Sequence, residues 1–426
     1  MSLYCEMDKA ELLYEYRREK ARFEKFAAQK LSIDMSRGKP SNDQLDLSAG
    51  MFSTVTDETG YITDEGFDCR NYGNLTGLSE CKSLFAEILE LNTDNIIIGG
   101  NSSLQLMFDY ITQCLTNGAS GLPPWNKQGN IKFLCPSPGY DRHFAICEYY
   151  GIEMITINMN SDGPCVDMIE KYIKDESVKG MFCVPKYSNP QGITYSDDVV
   201  KRIAALKPAA KDFRIIWDNA YCIHDFTKEP DNLLNIYPEL EKNKNEDMVI
   251  QFTSTSKITF PGAGVSAIGA SKNNIEEITK RLSYQIISYD KVNQLRHARY
   301  LKDLNGLKNH MKLHAKVLKP KFSAVLETLD KELSGKGIAL YNVPSGGYFI
   351  SLDVMKGSAL RVGELCKEVG LTLTLVGATY PYGIDPFDRN IRIAPTYPSI
   401  SELEMAAKVL CVAVKLSCLE AILKKK

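Results

Sequence analysis

Several residues of this chain stand where an apolar run ends, and their types suit chemistry on an amino group. Lys257 follows Met248-Val249-Ile250-Gln251-Phe252, within Thr253-Ser254-Thr255-Ser256-Lys257 and before Pro261-Gly262-Ala263-Gly264. A lysine partly withdrawn from water has a lowered pKa and can form a Schiff base with an aldehyde. Asp218 opens Asp218-Asn219-Ala220-Tyr221 directly after Ile215-Ile216-Trp217, which places a carboxylate where it can pair with a cation near a buried site. Gly99-Gly100-Asn101-Ser102-Ser103-Leu104 begins a helix with free N–H groups and hydroxyls suited to a phosphate. Asn189, in Pro185-Lys186-Tyr187-Ser188-Asn189-Pro190-Gln191-Gly192, and Arg392, in Asn390-Ile391-Arg392-Ile393, complete the set. Taken singly, each has an ordinary structural reading as a cap, a turn, a solvated loop residue or a surface arginine.

The elements that must position these groups are legible in the hydrophobic pattern. Seven short runs, near 95–98, 131–135, 154–157, 180–184, 214–218, 248–252 and 265–268, alternate with helical stretches. That pattern predicts an α/β fold: a three-layer α/β/α large domain around a mostly parallel seven-stranded sheet. Ligands of such sheets bind beyond the carboxyl ends of the strands, where the polar residues above collect. Residues 273 to 334 are charged and helical throughout and read as one long connecting helix. The strand-like runs 347–352, 371–375 and 390–393, with helices near 357–369 and 400–423, predict a smaller α+β domain. The expected division is an N-terminal helix and arm over 1–50, a large domain over 51–295 and a small domain over 296–426.

Composition bounds the partners. With 51 Lys+Arg against 53 Asp+Glu, the chain has no global attraction for nucleic acid or an anionic membrane. No run approaches the roughly 18 apolar residues of a spanning helix, and the first residues carry no apolar leader. Twelve cysteines without a C-x-x-C pair read as small buried hydrophobes in a reducing compartment, so the expected location is cytoplasmic. His143, His224 and His297 are spread without ligand spacing, and no metal site is expected.

Asn-Pro-x-Gly, Asp-x-Ala-Tyr, Ser-x-Ser-Lys and the late Asn-Ile-Arg-Ile, in this order, make the chain resemble the fold-type I pyridoxal-phosphate aminotransferases over nearly its whole length. The segments Met35-Ser36-Arg37-Gly38-Lys39-Pro40, Thr255–Phe260 and Asp290–His297 look most like the divergent bacterial aspartate aminotransferases of subgroup Ic. The resemblance implies that pyridoxal 5'-phosphate is the cofactor and that Lys257 carries it as an internal aldimine, then moves a proton from Cα to the cofactor C4′. Asp218 would pair with the pyridine nitrogen, Asn189 and Tyr221 with the ring's phenolate oxygen, and Tyr140 would stack on the ring. The phosphate would be held by Ser102, Ser103, the Leu104 N–H and Ser254, with Tyr72 reaching it from the second subunit of a homodimer with shared sites. Arg392 would fork the substrate α-carboxylate, beside Gly38 and Asn189. His143 is a candidate supporting residue.

One position departs from the broader family. Eight residues after the lysine, where most such enzymes carry a phosphate-binding arginine, stands Val265. Hydroxyls and N–H groups must then do more, or Arg37 or Lys39 is recruited. The implied activity is ping-pong transamination, with aspartate and 2-oxoglutarate as the expected substrates; Arg37, Lys39, Arg296 and Arg299 are the candidates for the distal carboxylate. Competing readings are a C–S lyase or an aromatic or aliphatic aminotransferase on the same fold, and a cofactor-sensing transcription regulator.

Overall fold

The computed structural model describes residues 3–426. Its large sheet runs, edge to edge, Ile96–Ile98, Ser266–Ala270, Val249–Ser254, Arg214–Asp218, Val178–Cys183, Lys132–Ser137, Glu153–Asn160 and Gly163–Pro164. The first seven of these are the seven apolar runs of the sequence. The eighth is a two-residue strand paired antiparallel to the end of Glu153–Asn160, so the sheet is one short edge strand wider than expected. Among the seven, only Ser266–Ala270 runs against its neighbours. Parallel strands need apolar side chains on both faces, which is why Val178–Cys183 and Arg214–Asp218 are buried at every position.

Helices cover both faces. Leu106, Ile111, Phe144, Ile146, Ile275 and Ile278 pack one side against Phe133, Ile216 and Phe252. Val166, Ile169, Val199, Ile203, Ile236 and Leu240 pack the other against Leu134, Met181 and Ile215. These are the three layers predicted from the alternation of strands and helices.

The stretch expected to be one long helix is three: Lys272–Gln285, Lys291–Leu301 and Leu304–Leu333. Asp290 and Asp303 sit at the two restarts, where their carboxylates accept the N–H of Asn293 at 2.9 Å and of Gly306 at 2.8 Å. Such local capping competes with helix continuation, and Lys302 between the last two helices takes a positive φ of 65°.

A second core joins the two ends of the chain. Leu12 and Phe23 of the helix Lys9–Ala27 pack with Phe322, Val325 and Leu329 and with the helix Ile400–Leu423. That last helix is apolar around nearly its whole circumference and is correspondingly interior. Its Lys415, buried, lies 3.7 Å from the buried Glu19 and is hydrogen-bonded to Glu332. Arg22 lies 2.9 Å from both Glu19 and Glu332, and Arg18 pairs with Glu19 at 2.8 Å. Beside this core, Ala339–Tyr341, Ile350–Val354 and Asn390–Ile393 form an antiparallel sheet that carries Arg392.

Candidate active site

Asp218 ends its strand opposite Phe252, so the lysine loop leaves the neighbouring strand just beyond it. The loop is tied across its base: Thr255 N donates to Val265 O at 2.8 Å, and Val265 N to Thr255 Oγ1 at 2.9 Å. Beneath it, His297 Nδ1 donates to Asn293 O at 2.8 Å, which leaves Nε2 to accept from Thr259 Oγ1 at 2.9 Å and Thr255 Oγ1 at 3.2 Å. Burial pushes the His297 pKa down to about 4, in keeping with a neutral ring. Asn293 Nδ2 also donates to Ala263 O and Gly264 O, at 3.0 and 2.9 Å. The segment Asp290–His297 thus buttresses the loop from below.

Lys257 Nζ lies 4.9 Å from the centre of the Tyr221 ring and 5.7 Å from that of Tyr348. Burial lowers its pKa from the ordinary lysine value, and the Asp218 carboxylate partly offsets that. Asp218 itself is buried. His143 Nε2 donates to its Oδ2 at 3.1 Å, while Oδ1 is buried with no hydrogen-bond partner. His143 is held flat on Phe182, centres 4.4 Å apart, and meets Tyr140 edge-on at 4.9 Å. Burial, then the nearby Asp218 and Asp141, push the Tyr140 hydroxyl up to about 12; burial likewise raises the Tyr221 hydroxyl well above its usual range.

Arg392 enters from the smaller sheet. Its Nη1 donates to Asp141 Oδ1 at 2.8 Å and Asn189 Oδ1 at 3.2 Å, its Nε to Thr374 Oγ1 at 3.2 Å, and its guanidinium lies 5.0 Å from the Phe349 ring centre. Because Asn189 accepts through Oδ1, its amide N–H groups remain free to donate. Phe349 also receives the Met35–Pro40 segment, where a Cβ on Gly38 would lie 2.6 Å from Phe349 Cζ.

Ser102 stands at the start of the helix Ser103–Asn117, whose first N–H groups have no partner within the helix, and its side chain makes no capping bond to them. Ser254 Oγ donates to Ser256 Oγ at 3.0 Å, and Ser256 Oγ to Asn101 O at 3.2 Å, which ties the lysine loop to this helix start.

A family model described as aspartate amino-transferase matches residues 7–426. The chain belongs to this family. It is 43% identical over 402 residues to the aspartate aminotransferase of Corynebacterium glutamicum, covering 94% of this chain and 93% of that one. A crystal structure of an aspartate transaminase from the same organism superposes with a TM-score of 0.96 at 41% identity, covering 99% of each chain. The α-aminoadipate aminotransferase LysN of Thermus thermophilus, solved with N-(5'-phosphopyridoxyl)-L-leucine, shares the fold at a TM-score of 0.74 and 19% identity, over 92% of this chain and 93% of that one.

The aminotransferase therefore brings Lys257, Asp218, Tyr221, Tyr140, Asn189 and Arg392 into connected surroundings, and Ser102, Ser103, Leu104 and Ser254 to one helix start. Tyr72 does not join them within one chain: it is 76% exposed. Val265 turns into the core among Leu78, Ile98 and Leu295. Lys39 Nζ sits 3.7 Å from the centre of the Tyr397 ring and Arg37 is exposed. Arg299 is committed to the carbonyls of Thr54, Thr59, Gly60 and Ile62 at 2.8–3.3 Å, a structural clasp rather than a free cation. Arg296 lies 5.6 Å from the centre of Phe52, which stacks on Phe260 of the lysine loop.

Sequence reasoning did not single out Tyr348, Phe349, Asp141 or Gln44. A signal for the first two was present in Gly346-Gly347. A Cβ on Gly346 would stand 2.3 Å from Tyr187 Cε2 and 2.4 Å from His224 O, so only glycine lets the segment before the strand Ile350–Val354 lace onto residues 224–226. The lacing bonds are Phe226 N to Ser345 O at 2.8 Å and Gly347 N to His224 O at 2.9 Å. Tyr348 is then held by Gln44 Nε2 at 2.9 Å, and Gln44 in turn contacts His314 Nδ1 at 3.2 Å. His314 Nε2 lies 3.2 Å from His310 Nε2. Among the described residues no cluster of His, Cys, Asp and Glu could hold a metal, and no helix is long and apolar enough to cross a membrane.

Proposed function

We propose that this aminotransferase uses pyridoxal 5'-phosphate to move the amino group of aspartate to 2-oxoglutarate. The observation that carries the cofactor is Asp218 Oδ1, a buried carboxylate oxygen without a partner, near the half-buried Lys257. An ionised oxygen in that state calls for a cation-bearing N–H, which a protonated pyridine supplies. The hydroxyls and free N–H groups of Ser102, Ser103, Leu104 and Ser254 suit its phosphate without an arginine at 265. When bound, the cofactor supplies an aldehyde for the amine and a ring that accepts the electron pair left at Cα.

The chain's own groups do the rest. Lys257, with its pKa lowered by burial, would hold the cofactor through its amine and would be the group that takes and returns the proton at the substrate Cα. Asn189 and Tyr221 would donate to the ring oxygen, Tyr140 would lie against the ring, and Arg392 would take the α-carboxylate beside Gly38. The second half-reaction returns the amine to a keto acid through the same groups, which makes the cycle ping-pong. A homodimer would complete the site: Tyr72, 76% exposed, would reach the phosphate from the second copy, and the exposed side chains of Phe52, Ile62, Tyr284 and Ile287 are apolar groups that a second copy could cover. Aspartate as substrate is supported by the 43% identical relative that carries that name.

The test is spectroscopic. The cofactor-loaded protein should change its absorption on addition of L-aspartate alone and recover it with 2-oxoglutarate; Lys257→Ala should abolish both turnover and the lysine-dependent band. A band that forms but ignores aspartate removes the substrate, and a wild-type protein that forms none removes the cofactor.

A further inference from the structure

Both hydrogens of Arg392 Nη1 are spent in this structure, one on Asp141 Oδ1 at 2.8 Å and one on Asn189 Oδ1 at 3.2 Å, while Nε donates to Thr374 Oγ1 at 3.2 Å. A carboxylate that binds a guanidinium by a two-pronged fork needs one hydrogen from each of two nitrogens. Nη2 is open to such a ligand, but the second prong falls on a nitrogen that is already taken. Of the neighbours that hold those nitrogens, only Asp141 is itself a carboxylate. Its side chain keeps 32% exposure while that of Arg392 keeps 6%, so the aspartate can turn outward and the arginine cannot.

We infer that Asp141 is an internal competitor for the substrate's α-carboxylate, and that evicting it from Arg392 sets the affinity for amino acid and keto acid alike. This rests on the reading of Arg392 as the α-carboxylate receptor. Asp141 acts through Arg392 and is a positioning residue. It opens the helix Asp141–Tyr150, directly after Tyr140, where the positive end of the helix favours its charge both on and off the arginine. The contact also spans the two lobes, from the helix beside the large sheet to the strand Asn390–Ile393. In the free enzyme it neutralises a guanidinium that would otherwise be buried unpaired. Two carboxylates on one guanidinium repel, so each substrate must replace Asp141 rather than join it.

Asp141→Asn keeps an oxygen for Nη1 and removes the charge. It should lower KM for both the amino acid and the keto acid by about tenfold, with the effect on KM rather than kcat. Propionate, which has the carboxylate and no amine, should raise the thermal unfolding midpoint of the cofactor-loaded protein at correspondingly lower concentration in Asp141→Asn than in the wild type. Unchanged or raised KM, with an unshifted propionate response, would overturn the proposal and make Asp141 a plain orienting contact. If Asp141→Asn does not fold, Asp141→Ser is read in the same way. Arg392→Lys separates the two readings: raised KM and a lost propionate response support the carboxylate receptor, whereas unchanged values remove the receptor and Asp141's role with it.

Discussion

His143 and Asp218 share one hydrogen bond, from Nε2 to Oδ2 at 3.1 Å, and that bond decides which oxygen of the aspartate is left over. The imidazole is clamped on Phe182 and cannot turn away, so Oδ1 alone is free to meet a ligand. The carboxylate is aimed by a residue 75 positions earlier in the chain.

Asp218→Asn should retain the fold and lower kcat/KM by roughly 10²–10³-fold, the usual effect of losing one preorganised electrostatic partner. His143→Leu should cost less, about tenfold, because it removes one hydrogen bond to a charged group and not the charge. Steady-state kinetics of the two variants check the order; a larger loss for His143→Leu would contradict it.

Lys257 should react with pyridoxal phosphate as an amine whose proton leaves below the ordinary lysine value of 10.5, because burial lowers its pKa. The rate of adduct formation by the cofactor-free protein should rise with pH and level off below pH 10.5. Asp218 opposes the shift by favouring the ammonium, so Asp218→Asn should move the plateau to still lower pH. Stopped-flow absorbance against pH reads both.

His297 and His314 are buried, and burial holds each at about 4 instead of 6.5. The unfolded chain binds their protons more tightly, so unfolding takes up protons between those two values. The stability they confer is complete above pH 6.5 and lost as the pH falls through about 4, on the order of 3 kcal/mol each at most. Denaturant titrations between pH 7 and pH 4 should show that decline, and His314→Gln should flatten it.

Lys415→Met should destabilise the protein by about 2 kcal/mol, because it removes the hydrogen-bonded cation from Glu332 and leaves that carboxylate with Arg22 alone, while Glu19 keeps Arg18 and Arg22. The denaturation midpoint should fall while kcat per folded molecule stays the same, since this cluster lies away from the lysine loop.

What could be read without coordinates follows from how strands end. Asp218, Asn189 and Lys257 each come soon after a buried run, and a parallel sheet gathers such positions at one edge, so residue type and order sufficed. Asp141 on Arg392 and Gln44 on Tyr348 are pairs 251 and 304 residues apart, and no local pattern encodes such contacts. The helical charge pattern over 273–334 was correctly periodic, yet it hid two breaks, because an aspartate that caps a new helix looks in sequence like one more solvated charge. Val265 was legible as a missing cation; that it is core was visible only once Leu78 and Leu295 packed on it.

The packing of the first long helix against the last sets a timetable for synthesis. Lys9–Ala27 leaves the ribosome roughly 370 residues before Ile400–Leu423, the helix against which it packs. At about 5–20 residues per second that is a wait of roughly 20 to 75 seconds. During it, the strands from Ile96 to Ala270 can close into their sheet, while Leu12 and Phe23 have no final place to go. The growing chain must keep an amphipathic helix out of trouble until its own tail arrives, and a ribosome that stalls before residue 400 leaves that helix without its partner.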